Sequence, residues 1–156
     1  MVIEDSPAGT RILINAPLAG FGASDRVLLV LFALPNGNTI EQTFGKKLNK
    51  GDDWHYDIQH IGAQTRFLRS VIRDRTVVVA YLENNRKSWP AWTAATPDYR
   101  DQVKRMVADI TAIFAPWQPE LVLNSHSGGG RFIFSFIDAR DEIPQEVVRI
   151  AFLDSN

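Results

Sequence analysis

The chain contains no cysteine among its 156 residues. That excludes disulfides, thiolate metal sites and a cysteine nucleophile, and it leaves the compartment open. Neither charge dominates: 17 Lys and Arg stand against 18 Asp and Glu, for a formal net charge of −1. Such a balance lacks the basic surplus that nucleic acids or anionic membrane surfaces select. No apolar run approaches the length of a membrane span. Histidine is scarce, with three in all. His55, His60 and His126 are not spaced as metal ligands, and Asp52-Asp53 lies in a polar segment, so neither metal nor cofactor is expected. The Gly-x-Gly-x-x-Gly fingerprint is missing, and no glycine-rich turn ends in Gly-Lys-Ser/Thr. A Walker-type P-loop is excluded, and a dinucleotide fingerprint has no support. No signal peptide is visible either: Met1 runs directly into the polar stretch Val2-Ile3-Glu4-Asp5-Ser6-Pro7. Both a cytoplasmic protein and an exported one after loss of its leader fit that beginning.

What is present suits one globular domain with a core: 45% hydrophobic and 22% charged residues. Continuous apolar runs at 27–33, 76–82 and 121–124 predict strands buried on both faces of a sheet. Shorter signals predict a strand at 11–15 and a buried strand at 147–153. Apolar spacings of three and four predict helices over 60–73 and 97–117, the latter with Pro97 at its start and Pro116 at its end. A third helix, apolar on most sides, is expected over 129–139. Residues 45–56 and 83–96 read as polar loops. Strands alternating with helices predict an α/β fold, a mostly parallel sheet with flanking helices.

The most informative stretch is Ser125-His126-Ser127-Gly128-Gly129-Gly130, set between the strand at 121–124 and the third helix. It has the form of a nucleophile elbow, Gly-x-Ser-x-Gly, with Ser125 in place of the first glycine. A sharp strand-to-helix turn needs small residues on both sides of the serine. It presents the Ser127 hydroxyl at its crest, close to the first N–H groups of the helix. The competing readings are a flexible serine-glycine loop and a glycine turn that cradles phosphate. If the elbow reading holds, the Gly128 N–H is one oxyanion donor. The other belongs to the loop 34–39 after an earlier strand, with Asn38 the first choice and Gly37 the second. The alternative for that loop is an ordinary Asn-Gly turn.

A general base is harder to find. His126 is adjacent to Ser127, so its ring leaves the turn on another side and suits packing. His55 and His60 precede the serine, although the elbow's triad runs in the order Ser, acid, His. No histidine follows Ser127. Asp154, after the last strand, is a candidate acid or a buried capping carboxylate. Trp89 and Trp92 either cover a cleft and stack on a substrate ring or seal the edge of the core. Arg86 and Lys87 beside them suit an anionic or sugar group, or plain solvent exposure.

Taken together, the 34–38 loop after an apolar strand, the strand 76–82 and the Ser125–Gly130 turn resemble the α/β-hydrolase superfamily. The turn is similar to the Gly-His-Ser-Gly-Gly form common there. The stretch 147–154 looks like the family's sixth strand. The resemblance implies a serine hydrolase, of esterase, lipase or peptidase type, acting on a small-molecule or polymeric ester or amide through Ser127. It also implies an α/β-hydrolase-like domain apparently truncated after its sixth strand. Residues 1–156 would then be the N-terminal part. The acid and histidine would lie beyond Asn156, in the same chain or on a separate C-terminal piece acting as partner. The alternative function is a non-catalytic α/β domain that binds a carbohydrate or small ligand.

Overall fold

Runs of Val, Leu and Ile broken by Pro, Gly and Asn fold as strands; the stretches with three- and four-residue spacing fold as helices. The computed structural model describes residues 2–6 and 9–155. Its strands are β1 (Val2–Ser6), β2 (Thr10–Asn15), β3 (Val27–Ala33), β4 (Thr76–Asn84), β5 (Glu120–His126) and β6 (Val147–Leu153). Its helices are α1 (Ile40–Phe44), α2 (Ile61–Val71), α3 (Trp89–Ala95), α4 (Tyr99–Ile113) and α5 (Gly130–Asp138). The strands form one sheet in the order β1-β2-β4-β3-β5-β6. β4, β3, β5 and β6 run parallel, while β2 is antiparallel to both β4 and β1. The fold is therefore α/β with a mostly parallel, mixed sheet.

Period-2 alternation sends successive side chains of β3 to opposite faces. Leu29, Leu31 and Ala33 join Val78, Ala80, Leu82, Leu121 and Leu123 in a core covered by α3, α4 and α5. Val30 and Phe32 join Val77, Val79 and Tyr81 on the other face, under α1 and α2. Both faces of the central strands are thus buried, which is why they read as unbroken apolar runs. The α4 stripe Val103, Met106, Val107 and Ile110 is buried as its spacing predicts. Trp89, in edge-to-face contact with Phe132 at 4.7 Å and Trp92 at 5.3 Å, wedges α3 against α5.

Several expectations need correction. A strand, β1, stands where the sequence reads as a polar beginning. The segment after β3 forms α1, started by a capping box in which Thr39 accepts from the Gln42 N–H and Gln42 accepts from the Thr39 N–H. Residues 89–95, read as loop, are helical because Ser88 caps them by accepting from the Ala91 N–H. In α2, Phe67 and Val71 are 65% and 53% exposed, because the buried stripe runs through Ile61 and Thr65, about 200° around the helix from Phe67. β6, expected to be buried, lies at the sheet edge with Val148 51% and Leu153 46% exposed.

Arg11 on β2 draws these layers together. It pairs with Glu41 in α1 and, at 3.4 Å, with Glu83 on β4. Glu83 also accepts from the Ile40 N–H at 2.8 Å, at the start of α1. The hydrogen bond from Arg11 holds the Glu41 carboxyl at about 2, below its ordinary 4.5. A depressed carboxylate stabilises the fold above its unfolded value, and that contribution disappears as pH falls through the folded one. Glu41→Gln should therefore shrink the loss of stability between about pH 5 and about pH 2, read from urea midpoints across that window. Phe132, 1% exposed, is a separate test of the core. Phe132→Ala should cost about 3–5 kcal/mol in urea unfolding.

Candidate functional site

β3 and β5 are neighbours, yet the chain leaves them in opposite directions. From β3 it crosses to β4 on one side, and from β5 to β6 on the other. A crevice opens at the carboxyl ends of two such strands, where open α/β sheets bind ligands. In register, Ala33 at the end of β3 pairs with Ser125 near the end of β5. The loop after Ala33 and the turn after His126 therefore face each other across this crevice.

The turn after β5 is tight. Ser127 has φ 50°, in the left-handed region that side chains other than glycine seldom enter. Holding a serine there costs about 1–2 kcal/mol, and such strain gathers at functional positions. Residues Ser127–Gly129 form a 3-10 turn that runs into α5. The Gly128 N–H belongs to the first turn, where the helix offers no acceptor of its own. Ser127 and Gly128 are partly exposed and Gly129 is buried.

The glycines leave room for what lies against them, strand backbone at Gly129 and side chains at Gly128 and Gly130. A Cβ on Gly129 would sit 2.2 Å from the Ala33 carbonyl oxygen, and one on Gly130 would sit 2.7 Å from Ser155 Cβ. A Cβ on Gly128 would sit 2.1 Å from Asn36 Oδ1. Ser125, wholly buried, takes the place of the elbow's first glycine and lies 3.3 Å from the Ser155 hydroxyl.

The facing loop is braced from two sides. The Gly37 N–H donates to the Lys87 carbonyl at 2.7 Å, and the Asn38 N–H approaches the Pro35 carbonyl at 3.5 Å. Asn38 is 4% exposed. Its Nδ2 donates to Gln59 Oε1 at 3.0 Å, and Gln59 Nε2 donates to His126 Nδ1, also at 3.0 Å. This chain links the loop to the residue before Ser127 and leaves the His126 proton on Nε2. Among the N–H groups expected to complete an oxyanion hole, those of Gly37 and Asn38 thus already have internal acceptors. Asn36, exposed, packs its side-chain amide against Gly128. Neither Asn36 nor Gln59 stood out in the sequence. The signal for Asn36 was Pro35, which has no N–H, so Asn36 carries the first loop N–H after Leu34.

The remaining candidates lie elsewhere. His55 Nδ1 is 2.5 Å from Asp53 and His60 Nε2 is 2.6 Å from Asp57, both imidazoles half-buried in the 53–60 segment. Together with the His126–Gln59 bond, this leaves no imidazole bonded to Ser127 among the described residues. Trp89 and Trp92 are each 1% exposed inside the α3–α5 core. Their rings face other core side chains, as the core-sealing alternative requires, and offer no open face for stacking on a substrate. Arg86 and Lys87 are exposed. Asp154, expected to be buried if it capped the strand, is exposed with φ 48°. Among the described residues no three His, Cys, Asp or Glu cluster as metal ligands, and no helix is long and apolar enough to cross a membrane.

The contact between Gly129 and the Ala33 carbonyl sets a sharp limit. Gly129→Ala should cost at least about 1–3 kcal/mol, because the obstacle is strand backbone that cannot turn away, and thermal unfolding would register the loss. Gln59→Leu should cost a comparable amount, about 1–3 kcal/mol, by leaving the Asn38 amide and His126 Nδ1 without partners. Comparison with family models, with curated proteins and with solved structures yields no match.

Proposed function

We propose that the chain is the nucleophile-bearing part of a serine hydrolase of α/β-hydrolase type, cleaving an ester or amide bond. One observation carries the reading: Ser127 is held in a left-handed conformation on a strand-to-helix turn, at the point where the strand order reverses. In the proposed reaction Ser127 Oγ attacks the substrate carbonyl carbon and loses its proton to a general base. The carbonyl oxygen becomes an oxyanion held by the Gly128 N–H and an N–H of the loop after β3. Collapse of this intermediate expels the alcohol or amine with a proton and leaves an acyl-serine, which water then hydrolyses. Asn38 holds the second donor position by chain order, but its N–H is turned to the Pro35 carbonyl, so Asn36, packed against Gly128, takes that role in the proposed reaction. With every histidine engaged elsewhere, the base and its orienting acid come from residues outside these 156, on the same or a partner polypeptide.

The lack of a nearby imidazole also favours a second reading, a domain that binds a ligand at the same crevice without chemistry. A fluorophosphonate probe separates the two. In the polypeptide as the cell produces it, Ser127 should be labelled, and Ser127→Ala should lower hydrolysis of 4-nitrophenyl acetate by roughly 10⁴-fold or more. An unlabelled Ser127, or undiminished hydrolysis by the alanine variant, would leave the binding domain as the better reading. The 156-residue chain alone should hydrolyse the ester at close to the background rate, since a serine without its base is a weak nucleophile.

A further inference from the structure

One turn along α5 from Ser127, a cavity of about 640 Å³ opens between α3, α4 and α5, lined by Pro90, Thr93, Ala94, Tyr99, Arg131 and Phe134. Arg131 lies four residues after Ser127, in the first turn of α5, and its guanidinium reaches Thr93 and Tyr99. α3 itself packs against the Ser127–Gly129 turn. Cavity and turn are therefore neighbours.

The charges around this cavity are not balanced. Arg131 Nε donates to Thr93 Oγ1 at 3.3 Å and its Nη2 donates to the Tyr99 hydroxyl at 3.4 Å, both long contacts to neutral oxygens. Arg131 also lies over the Tyr99 ring, 5.4 Å from its centre, and Arg100 approaches the same ring at 4.9 Å. Among the described residues no carboxylate forms an ion pair with either arginine. Of the two acids flanking Arg100 in sequence, Asp98 is taken by Gln102 and Arg105, and Asp101 forms no ion pair with either arginine. Two guanidiniums share one aromatic ring with no carboxylate paired to either, and the one that lines the cavity, Arg131, forms a positive locus that attracts an anionic group.

We propose that this cavity holds a carboxylate on an apolar spacer, with Arg131 as the residue that selects for it. The walls favour that ligand over a phosphate: Pro90, Ala94 and Phe134 present carbon surface, and Phe134 is 41% exposed. A phosphate dianion calls for more donors than one planar fork beside a threonine and a tyrosine. As an anion pocket the site stands independently of the chemistry at Ser127. As the acyl pocket of a hydrolase for esters or amides of short dicarboxylic acids, it rests on the reading of Ser127 as nucleophile.

The test compares monomethyl glutarate, an anion with an apolar spacer, with neutral dimethyl glutarate. Binding is titrated by calorimetry and amide chemical shifts on a Ser127→Ala background, so that neither probe is consumed. The monoanion should bind roughly tenfold tighter than the diester, with shifts centred on Thr93, Tyr99 and Phe134. Arg131→Gln should abolish that preference. Phe134→Asp, which keeps Arg131 and supplies it with an internal carboxylate at an exposed position, should do the same and guards against a folding defect in the first variant. Equal binding of the two probes, or a preference surviving in both variants, overturns the pocket. A second arm measures hydrolysis of 4-nitrophenyl hydrogen glutarate against 4-nitrophenyl butyrate in the polypeptide as the cell produces it. Monoanion binding without hydrolysis of either ester keeps the pocket and removes the hydrolase. Hydrolysis with no preference for the anionic ester keeps the hydrolase and removes the pocket.

Discussion

Everything at the carboxyl edge of the sheet depends on one close approach, that of the turn after β5 to the end of β3. Gly129 lies so near the Ala33 carbonyl that a single added methyl would meet it at 2.2 Å. Close packing of this kind leaves no intermediate arrangement, so the turn is either seated against β3 or displaced. Because it is seated, Ser127 takes up its strained conformation, α5 starts immediately after it, and the Gly128 N–H stays free of helical acceptors. The strain is sustained by the two buried faces of β3, whose residues leave that strand nowhere else to go.

Around that contact lies a brace of polar groups. Gly37 is tied to Lys87, Asn38 to Gln59, and Gln59 to His126. Farther out, Arg11 and Glu83 hold the first turn of α1. Each bond is modest in net stability, but each would leave a poorly solvated group behind if broken, so together they fix the loop after β3 in one shape. A preformed loop is what a developing negative charge requires, because donors already in place need not reorganise during the reaction. The same rigidity would serve a ligand pocket, which is why the chemistry at Ser127 must be decided by its reactivity.

Much of the architecture was legible in the residues. β3 falls where its apolar run does, because a strand covered on both faces must be apolar throughout. The α4 stripe was equally clear, since apolar residues three and four apart line up on one face of a helix and on no single face of a strand. Capping concealed α1 and α3: their short, polar-looking segments are helical because Thr39 and Ser88 satisfy the first N–H groups. β6 misled in the other direction. Its Val, Ile, Phe and Leu match those of a central strand, and nothing local distinguishes a strand that has neighbours on both sides from one that has a neighbour on one.

By itself the sequence determined a serine-glycine turn between a strand and a helix, an α/β fold, and a stretch of 156 residues without a cysteine. Those depend on local steric preference and on composition, which short stretches carry in full. Only the tertiary structure decided that Asn36 packs against Gly128, that Gln59 joins Asn38 to His126, that Trp89 and Trp92 are inside, and that Arg131 has no carboxylate partner among the described residues. Each of those is a relation between segments that lie far apart in the chain. The order of strands in the sheet brings them together, and no local pattern encodes that order.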